Sequence, residues 1–212
     1  MRHGFAALLL VLAMAAALPA AAFDGASETR YQTLLAAAKA AGDQPVDWAA
    51  LRLAYADSAE FDLSGDRTDA ARKAMFAALN AGDDKAALVQ ARLILDQDFV
   101  DIDAHVAADL ADEKLGDAAG AKHEHDIVVG LLRSIRTGDG SSPAQAFTPI
   151  SVGEEYAMMR AFDMKVSGQA LIQAAGHSYD KLDGTDSDGK TLSFYFLIDR
   201  IIAAEGAGLQ AH

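Results

Sequence analysis

The spacing of apolar residues changes along the chain, from a helical period in the first two thirds to a strand-like period near the end. Between Tyr31 and Arg136, alanine and leucine recur every three or four residues, which is typical of helices that bury one face. The segment YQTLLAAAKAAGD predicts a first helix that ends at Gly42. Asp47 can cap a second helix, in which apolar residues such as Leu51 continue at helical spacing.

A repeat of 34 residues lies within the helical part. Gly82 and Gly116 are 34 residues apart, each follows a predicted helix, and each precedes an aspartate that can start the next helix. A helix–turn–helix unit with Gly-Asp at its turn resembles a tetratricopeptide repeat, although Phe99 stands where that family usually has proline. We therefore predict about two degenerate units over residues 66–136, with the earlier helices stacked in front of them.

Glycine, serine and proline break the helical pattern after Arg136, and a mixed pattern follows. VGEEYAMMRAF predicts a short helix, KVSGQALI and SYDKLDG predict strands, and SDGK predicts a hairpin turn. Thr191–Ile198 is the strongest predicted strand. The expected fold class is α+β but predominantly α, with stacked helical hairpins over 23–137, a small α+β module over 138–200 and a frayed tail over 201–212.

The first 22 residues have the pattern of a secretory signal. Arg2 gives a positive start, Phe5–Leu18 is an apolar run too short to span a bilayer comfortably, and three alanines end at Ala22. We expect cleavage after Ala22, which makes the mature protein periplasmic or secreted, with no stable membrane insertion. An uncleaved membrane anchor is the alternative interpretation of the same segment.

The acidic balance and the absence of cysteine exclude several classes of function. The chain has 31 acidic and 18 basic residues, a formal net charge of -13, which repels nucleic acid and anionic lipid surfaces. The charge favours a basic partner or loosely bound cations. With no cysteine, a lipoprotein anchor, thiol catalysis and disulfides are excluded. We predict no cofactor, and the sequence does not define an oligomeric state.

Two adjacent acids, Glu154 and Glu155, raise the question of a catalytic carboxylate pair. Ser151 precedes Glu154 by three residues, which is the spacing of a capping box at a helix start. Glu155 lies in the same first turn, where the helix dipole favours a negative charge. Neighbouring helical residues also point about 100° apart, so we expect a structural role for both acids.

Four segments resemble a known bacterial family. GDGSSPAQAF, ISVGEEYAMMR, VSGQALI and GHSYDKL occur in this order before an aromatic strand, between Gly138 and Phe196. The series is similar to the family called domain of unknown function 4919. The resemblance implies a helical-repeat-like half joined to a compact end module in the bacterial envelope, and it implies no activity.

The most enzyme-like cluster is His177, Ser178, Tyr179 and Asp180. A histidine beside a serine suggests nucleophilic catalysis, but neighbours on a strand face opposite sides and the Gly-x-Ser-x-Gly elbow is absent. We favour a recognition surface instead, formed by residues that share the end module: Glu155, Tyr156, Arg160, Gln169, His177, Tyr179 and Asp180.

Metal binding is a weaker interpretation of two other segments. His123 and His125 are two residues apart on a predicted helix and cannot face one ion, although His105, His125 and Asp109 could meet if the repeat helices pack. The loop DGTDSDGK resembles part of a calcium-binding loop but lacks its closing glutamate. We predict no metal site and an acidic hairpin in that loop.

The leading functional hypothesis is a non-enzymatic binding or scaffold protein for a protein or peptide partner, which the stacked helices would hold. The alternative is a periplasmic hydrolase or small-ligand-binding protein that uses the segment from His177 to Asp180. An enzyme requires His177, Asp180 and Glu155 to converge in a pocket, whereas a binding surface leaves them spread apart.

Overall fold

Helices dominate the fold, and the strands are confined to its carboxyl-terminal part. The computed structural model describes residues 25–42 and 44–210, without the side chains of 207–210; the predicted signal peptide therefore lies outside the described residues. In chain order the elements are α1 Gly25–Ala40, α2 Trp48–Ala56, α3 Asp69–Ala81, α4 Asp84–Leu95, α5 Ile102–Leu115, α6 Ala118–Ile135, a 3-10 turn at Pro143–Gln145, α7 Val152–Ala161, β1 Lys165–Ala174, β2 His177–Thr185, β3 Thr191–Leu197 and α8 Asp199–Gln210. The predicted class, predominantly α with a carboxyl-terminal α+β module, is confirmed.

The repeat seen in the sequence is present as two similar helix pairs, α3–α4 and α5–α6. Gly82 and Gly116 end the first helices with φ of 71° and 83°, in the left-handed region that favours glycine. Asp83 and Asp117 then cap the second helices, accepting backbone N–H groups at 3.0 and 2.9 Å. The 34-residue spacing therefore corresponds to a repeated structural unit, as predicted.

The first helices of the two units lie side by side. α3 contacts α5, whereas α4 and α6 make little contact with each other, and α7 packs against both α5 and α6. The residues that precede these three helices or begin them, Thr68, Asp101 and Ser151, all line one cavity. We call α3, α5 and α7 the inner row, since their amino-terminal ends meet at that cavity.

Two hydrophobic clusters stabilise the molecule. The smaller one joins α3, α4 and α5 through buried Met75, Ile94 and several alanines, which let these helices approach closely. The larger one extends from Tyr55 in α2 through Leu131 in α6 to Phe196 in β3. The large cluster therefore crosses the sequence-predicted boundary at residue 137, and both sides of that boundary share one core.

The position of the first two helices differs from the prediction. They were expected to stack in front of the repeat, but α2 packs against α6 at its other end. Gly130 makes this contact close: a Cβ there would lie 2.1 Å from Trp48 Nε1. The physical reason is that α5 leaves part of the apolar face of α6 open, and α2 covers it.

The carboxyl-terminal sheet has the order β1-β2-β3 with antiparallel pairing, and its register places Asp180 opposite Leu171 and Phe196. The predicted hairpin is confirmed, with Gly189 at φ 80° and Asp186 Oδ1 accepting two backbone N–H groups of the turn. The segment before α7 joins the sheet at Phe147, which forms a parallel bridge with Phe196.

The part of the predicted tail that the structure describes is helical, whereas a frayed segment was expected. α8 begins at Asp199 and extends to Gln210, and Ile201 within it is 3% exposed. The burial of Ile201 in the large cluster explains the difference, because the helix packs on the core while its own residues signal no clear stop. Among the described residues, none of the helices combines the length and apolar character needed to cross a bilayer.

Candidate functional site

The seven residues predicted to form a recognition surface lie in three different places. Glu155, Gln169 and Asp180 come together between α7 and the sheet. His177 and Tyr179 lie at the start of β2, with ring centroids 6.4 Å apart, and Tyr179 is buried. The two others belong to α7: Arg160 reaches α5, and Tyr156 is half-buried. The sequence therefore identified one real cluster but no continuous surface.

Glu155, Asp180 and Gln169 form a cluster in which both acids are almost fully buried. Glu155 in the first turn of α7 is 0% exposed, and Asp180 on β2 is 7% exposed. Gln169 Nε2 donates to Asp180 Oδ2 at 2.6 Å, whereas neither carboxylate oxygen of Glu155 receives a hydrogen bond from an N–H or O–H group. Two acids therefore meet in the core without a basic residue between them.

The electrostatics of this pair favour a shared proton. Burial, followed by the charge of Asp180 and a hydrogen bond to it, raises the pKa of Glu155 to about 8. At neutral pH Glu155 is therefore protonated and can donate its proton to the Asp180 carboxylate. The pair holds α7 on the sheet while the acid remains neutral.

The histidine that an enzyme would need lies elsewhere. His177 Nδ1 is 2.5 Å from Asp199 Oδ2 at the start of α8, and the backbone N–H of Ser178 donates to Asp199 Oδ1 at 2.7 Å. Positions 177 and 180 are an odd number of residues apart on β2, so they face opposite sides of the sheet. The geometry thus gives the hydrolase alternative no support, because His177 does not join Asp180 and Glu155.

Glu154 has a different role from its neighbour. The predicted cap is present, since Ser151 Oγ accepts the Glu154 N–H at 3.3 Å. In a standard capping box the Glu154 side chain would accept the backbone N–H of Ser151, and here it does not. Instead it accepts the Ile150 N–H at 2.8 Å and forms a buried ion pair with Arg52.

Arg52 connects the two halves of the molecule and was missed in the sequence. Its Nε donates to Glu154 Oε1 at 2.7 Å, its Nη1 to Ser134 Oγ at 3.1 Å and its Nη2 to the Thr148 carbonyl at 3.0 Å. One guanidinium thus joins α2, α6, the segment before α7 and α7 itself. The available signal was an arginine on the apolar face of α2, directly after Leu51.

A cavity of 320 Å³ lies at the amino-terminal ends of the inner row. α2 supplies Tyr55, the loop before α3 supplies Phe61, and the loop before α5 supplies Asp98. The first turn of α7, from Ser151 to Glu154, closes another side. Glu155 and Asp180 do not line this cavity, so the acidic pair and the cavity are separate features.

Sequence reasoning also missed the polar groups of this inner-row cavity. Tyr55 is 1% exposed and its hydroxyl makes no hydrogen bond of normal geometry. Burial, followed by the charges of Asp101 and Glu154, raises the pKa of Asp98 to about 7. The available signal was the acid-rich linker DQDFVDID, in which polar residues flank the start of α5.

Two histidines of the repeat, His105 and His125, each pair with one acid. His105, 1% exposed, places Nδ1 2.5 Å from Glu124 Oε2 and Nε2 2.8 Å from the Phe99 carbonyl. His125 Nδ1 is 3.3 Å from Asp109 Oδ2. Within the described part of the chain, no three histidine, aspartate or glutamate side chains are grouped so that they could hold a metal ion.

Comparisons with known proteins agree with the motifs. A family model described as a domain of unknown function, DUF4919, matches residues 24–206. No curated protein and no solved structure matches the chain significantly. The match spans both the helical repeat and the α+β module, so the resemblance drawn from the four quoted segments is confirmed. The chain therefore belongs to the DUF4919 family.

Proposed function

We propose that this protein is an exported envelope protein that binds a protein or peptide partner on the inner row of its helices. The observation that supports the proposal most strongly is a pair of exposed apolar residues, Phe76 on α3 and Leu110 on α5. They are 43% and 46% exposed and stand 34 residues apart, at equivalent positions of the two repeat units. Val106, one turn before Leu110, is also exposed.

The packing of the helix pairs favours this face as the binding surface. α3 and α5 contact each other whereas α4 and α6 make little contact, and in stacked helix pairs this arrangement favours a concave face on the side of the first helices. Side chains on a concave face can surround an extended segment, whereas on a convex face only a few side chains can contact it. α7 continues the row and adds exposed Val152 beside the cavity.

Charge indicates the kind of partner. The chain carries a net charge of -13, so an acidic partner would be repelled at long range and a basic one attracted. The partner is therefore an extended segment with apolar side chains for Phe76 and Leu110 and with basic residues between them. Binding of this partner, as proposed, involves no cofactor.

Export remains part of the proposal and is supported by the apolar run Phe5–Leu18 and the three alanines that follow it. Fractionation of producing bacteria, with the intact mass of the purified protein, tests it directly. A periplasmic or secreted chain that begins at Phe23 is the expected result. A full-length chain that stays in the cytoplasm or membrane would remove this part of the proposal.

The binding face can be tested by site-specific photo-crosslinking in intact cells. A photoreactive residue at position 110 should capture a defined partner, which mass spectrometry identifies. The matched position is Leu93 on α4, which has the same side chain and a similar exposure, 47%, but lies on the second helix of its unit. Capture at position 110 and not at 93 is the expected outcome.

The captured partner then allows a quantitative comparison of two variants. Leu110→Ser should weaken binding by about tenfold, because it removes an apolar contact from the centre of the face. Leu93→Ser should leave the affinity within about twofold of the wild type, since a residue outside an interface contributes little. Equal losses for both variants, or capture at position 93 alone, would refute the inner row as the binding face.

A further inference from the structure

The inner-row cavity contains a buried hydroxyl and a carboxylate that none of the described basic side chains neutralises. Tyr55 is 1% exposed, and its hydroxyl lies against the Asp98 carboxylate without a hydrogen bond of normal geometry. Buried hydroxyl groups are ordinarily hydrogen-bonded, and leaving one unpaired is costly. Burial and the charge of Asp98 keep the pKa of Tyr55 well above its ordinary value, so the hydroxyl remains neutral.

The charges around the cavity leave one acid without a basic partner. Asp101 pairs with Arg72, Asp103 with Arg160, Glu154 with Arg52, and Asp62 with Arg67. Asp98 accepts the backbone N–H of Val100 at 3.1 Å and interacts with the Tyr55 hydroxyl, but none of the described basic side chains pairs with it. The cavity therefore has a negative excess, and this excess is located at Asp98.

Aromatic rings lie beside this acid. Tyr55 and Phe61 both line the cavity and meet edge to face, with ring centroids 5.3 Å apart. Ring faces attract ammonium and guanidinium groups, especially where water is excluded. A carboxylate, a hydroxyl oxygen and two rings in one cavity form the environment that organic cations bind in proteins.

We propose that the inner-row cavity is a binding site for an organic cation, an ammonium or guanidinium group that contacts the Asp98 carboxylate and the Tyr55 hydroxyl oxygen. A volume of 320 Å³ suits a small ligand or a single basic side chain. The bound group donates hydrogen bonds to both oxygens and is held against the rings. This proposal does not depend on the partner proposed above, since small cations test it alone.

The opposite ligand chemistry fits the cavity less well. The amino-terminal ends of α5 and α7 would attract an anion by themselves. Their first turns, however, already carry Asp103, Glu154 and Glu155, and the nearby Arg72 is paired with Asp101. Inorganic phosphate is therefore the appropriate competing probe, because its binding in place of a cation would overturn the assignment.

The first experiment measures binding by calorimetry and by chemical shifts in the full mature protein at pH 8. The probes are agmatine, Nα-acetyl-arginine amide, a tripeptide with arginine at its centre, and the uncharged analogue Nα-acetyl-norleucine amide. The arginine probes should bind and the uncharged analogue should not. Binding of the tripeptide alone would assign the site to peptide side chains, and binding of agmatine as well would assign it to small cations. Failure of all cationic probes to bind, or binding of phosphate instead, would overturn the proposal.

Three variants locate the binding. Asp98→Asn should weaken binding of the arginine probes by about tenfold or more, because a charged hydrogen bond is lost while the backbone contact to Val100 can persist. Tyr55→Phe keeps the ring and should weaken binding by about threefold to tenfold. Asp96→Asn, an equal charge change at an exposed position two residues away, should stay within about twofold. Equal effects of Asp96→Asn and Asp98→Asn would show only a general charge effect and refute the site.

The pH dependence gives an independent measurement on the same proteins. Asp98 faces Tyr55, Asp101 and Glu154, and its pKa is raised to about 7. A cation binds the ionised carboxylate, so affinity should fall as the pH is lowered from 8 to 6. The Asp98→Asn variant should lose this dependence. A pH profile that is the same in wild type and variant would contradict the role of Asp98.

Discussion

At the scale of single residues, the protonation state of Glu155 depends on the surface that its side chain faces. The first turn of a helix is a favourable place for an acid when that turn faces water. Here the turn faces the sheet, so Glu155 is buried beside Asp180 and its pKa is raised to about 8. A solvated capping acid and a buried proton-sharing acid have the same local sequence, and only the packing of α7 distinguishes them.

The raised pKa makes stability depend on pH in a defined direction. Glu155 titrates near 4.5 when unfolded and near 8 when folded, so the folded state binds more protons between these values. Its stabilising contribution is complete below pH 4.5 and is lost as the pH rises through 8. Glu155→Gln keeps a hydrogen-bond donor toward Asp180 without a charge. We expect it to be more stable than wild type at pH 8.5, on the order of 1–3 kcal/mol, and similar at pH 5.

Urea unfolding, monitored by the fluorescence of Trp48, measures the free energy of unfolding at pH 5 and pH 8.5. Glu113→Gln is the matched control, because Glu113 is exposed on α5 and its substitution should not change the pH profile. A Glu155→Gln variant with the same pH dependence as wild type, or one less stable at pH 8.5, would contradict the protonated state of Glu155.

At the scale of elements, the helices carry their own start and stop signals. The Gly-Asp turns at 82–83 and 116–117 end one helix and begin the next, so the 34-residue repeat was predictable from local chemistry. The partner of each helix was less predictable. α2 was expected near α3, yet it packs against α6, where the missing side chain of Gly130 admits Trp48.

Gly130→Ala tests this helix contact. An added Cβ would lie 2.1 Å from Trp48 Nε1, so the indole has to shift. We expect a loss of stability of about 1–3 kcal/mol and a changed emission of Trp48. The measurement is urea unfolding together with the emission spectrum of the folded protein.

Gly206→Ala is the control for helix propensity. It lies within α8, and a Cβ there meets nothing within 4 Å. Alanine at a compatible helical position should stabilise by about 0.5–1 kcal/mol, which is the opposite sign. An equal stabilisation by Gly130→Ala would show that α2 and α6 are not in close contact in solution.

At the scale of the whole molecule, the repeat and the α+β module are joined by a common core and by one buried ion pair. The large cluster combines Leu131 and Ile135 of α6 with Phe147 and Phe196 of the module. Arg52 in α2 meets Glu154 in α7, both nearly inaccessible to solvent. Removing either half would therefore expose apolar surface and leave a buried charge unpaired.

A truncated chain that ends at Arg136 should consequently fail to unfold cooperatively and should bind a hydrophobic dye. Circular dichroism during thermal unfolding and dye fluorescence are the measurements. A chain that ends at Ile198 is the control; it loses α8 but retains the cluster around Phe196 and should keep a cooperative transition at a lower Tm. Cooperative unfolding of the shorter chain would show that the helical repeat is an independent domain.

The sequence by itself determined the features that depend on neighbouring residues: the helical and strand periods, the 34-residue unit with its Gly-Asp turns, the Ser151 cap, the acidic hairpin and the family. It also placed Gln169 and Asp180 in one candidate set, because both belong to the same short module. Periods, caps and turns are set by interactions over a few residues, so they can be read along the chain.

Only the tertiary structure decided which surfaces meet. In the folded protein α2 packs on α6 and Glu155 is buried against Asp180. His177 contacts Asp199, and Arg52 pairs with Glu154, 102 residues away. The tertiary structure also formed the inner-row cavity from Tyr55, Asp98 and the start of α7. Contacts between distant residues depend on which apolar faces remain open after the local elements form, and many arrangements satisfy the same local pattern.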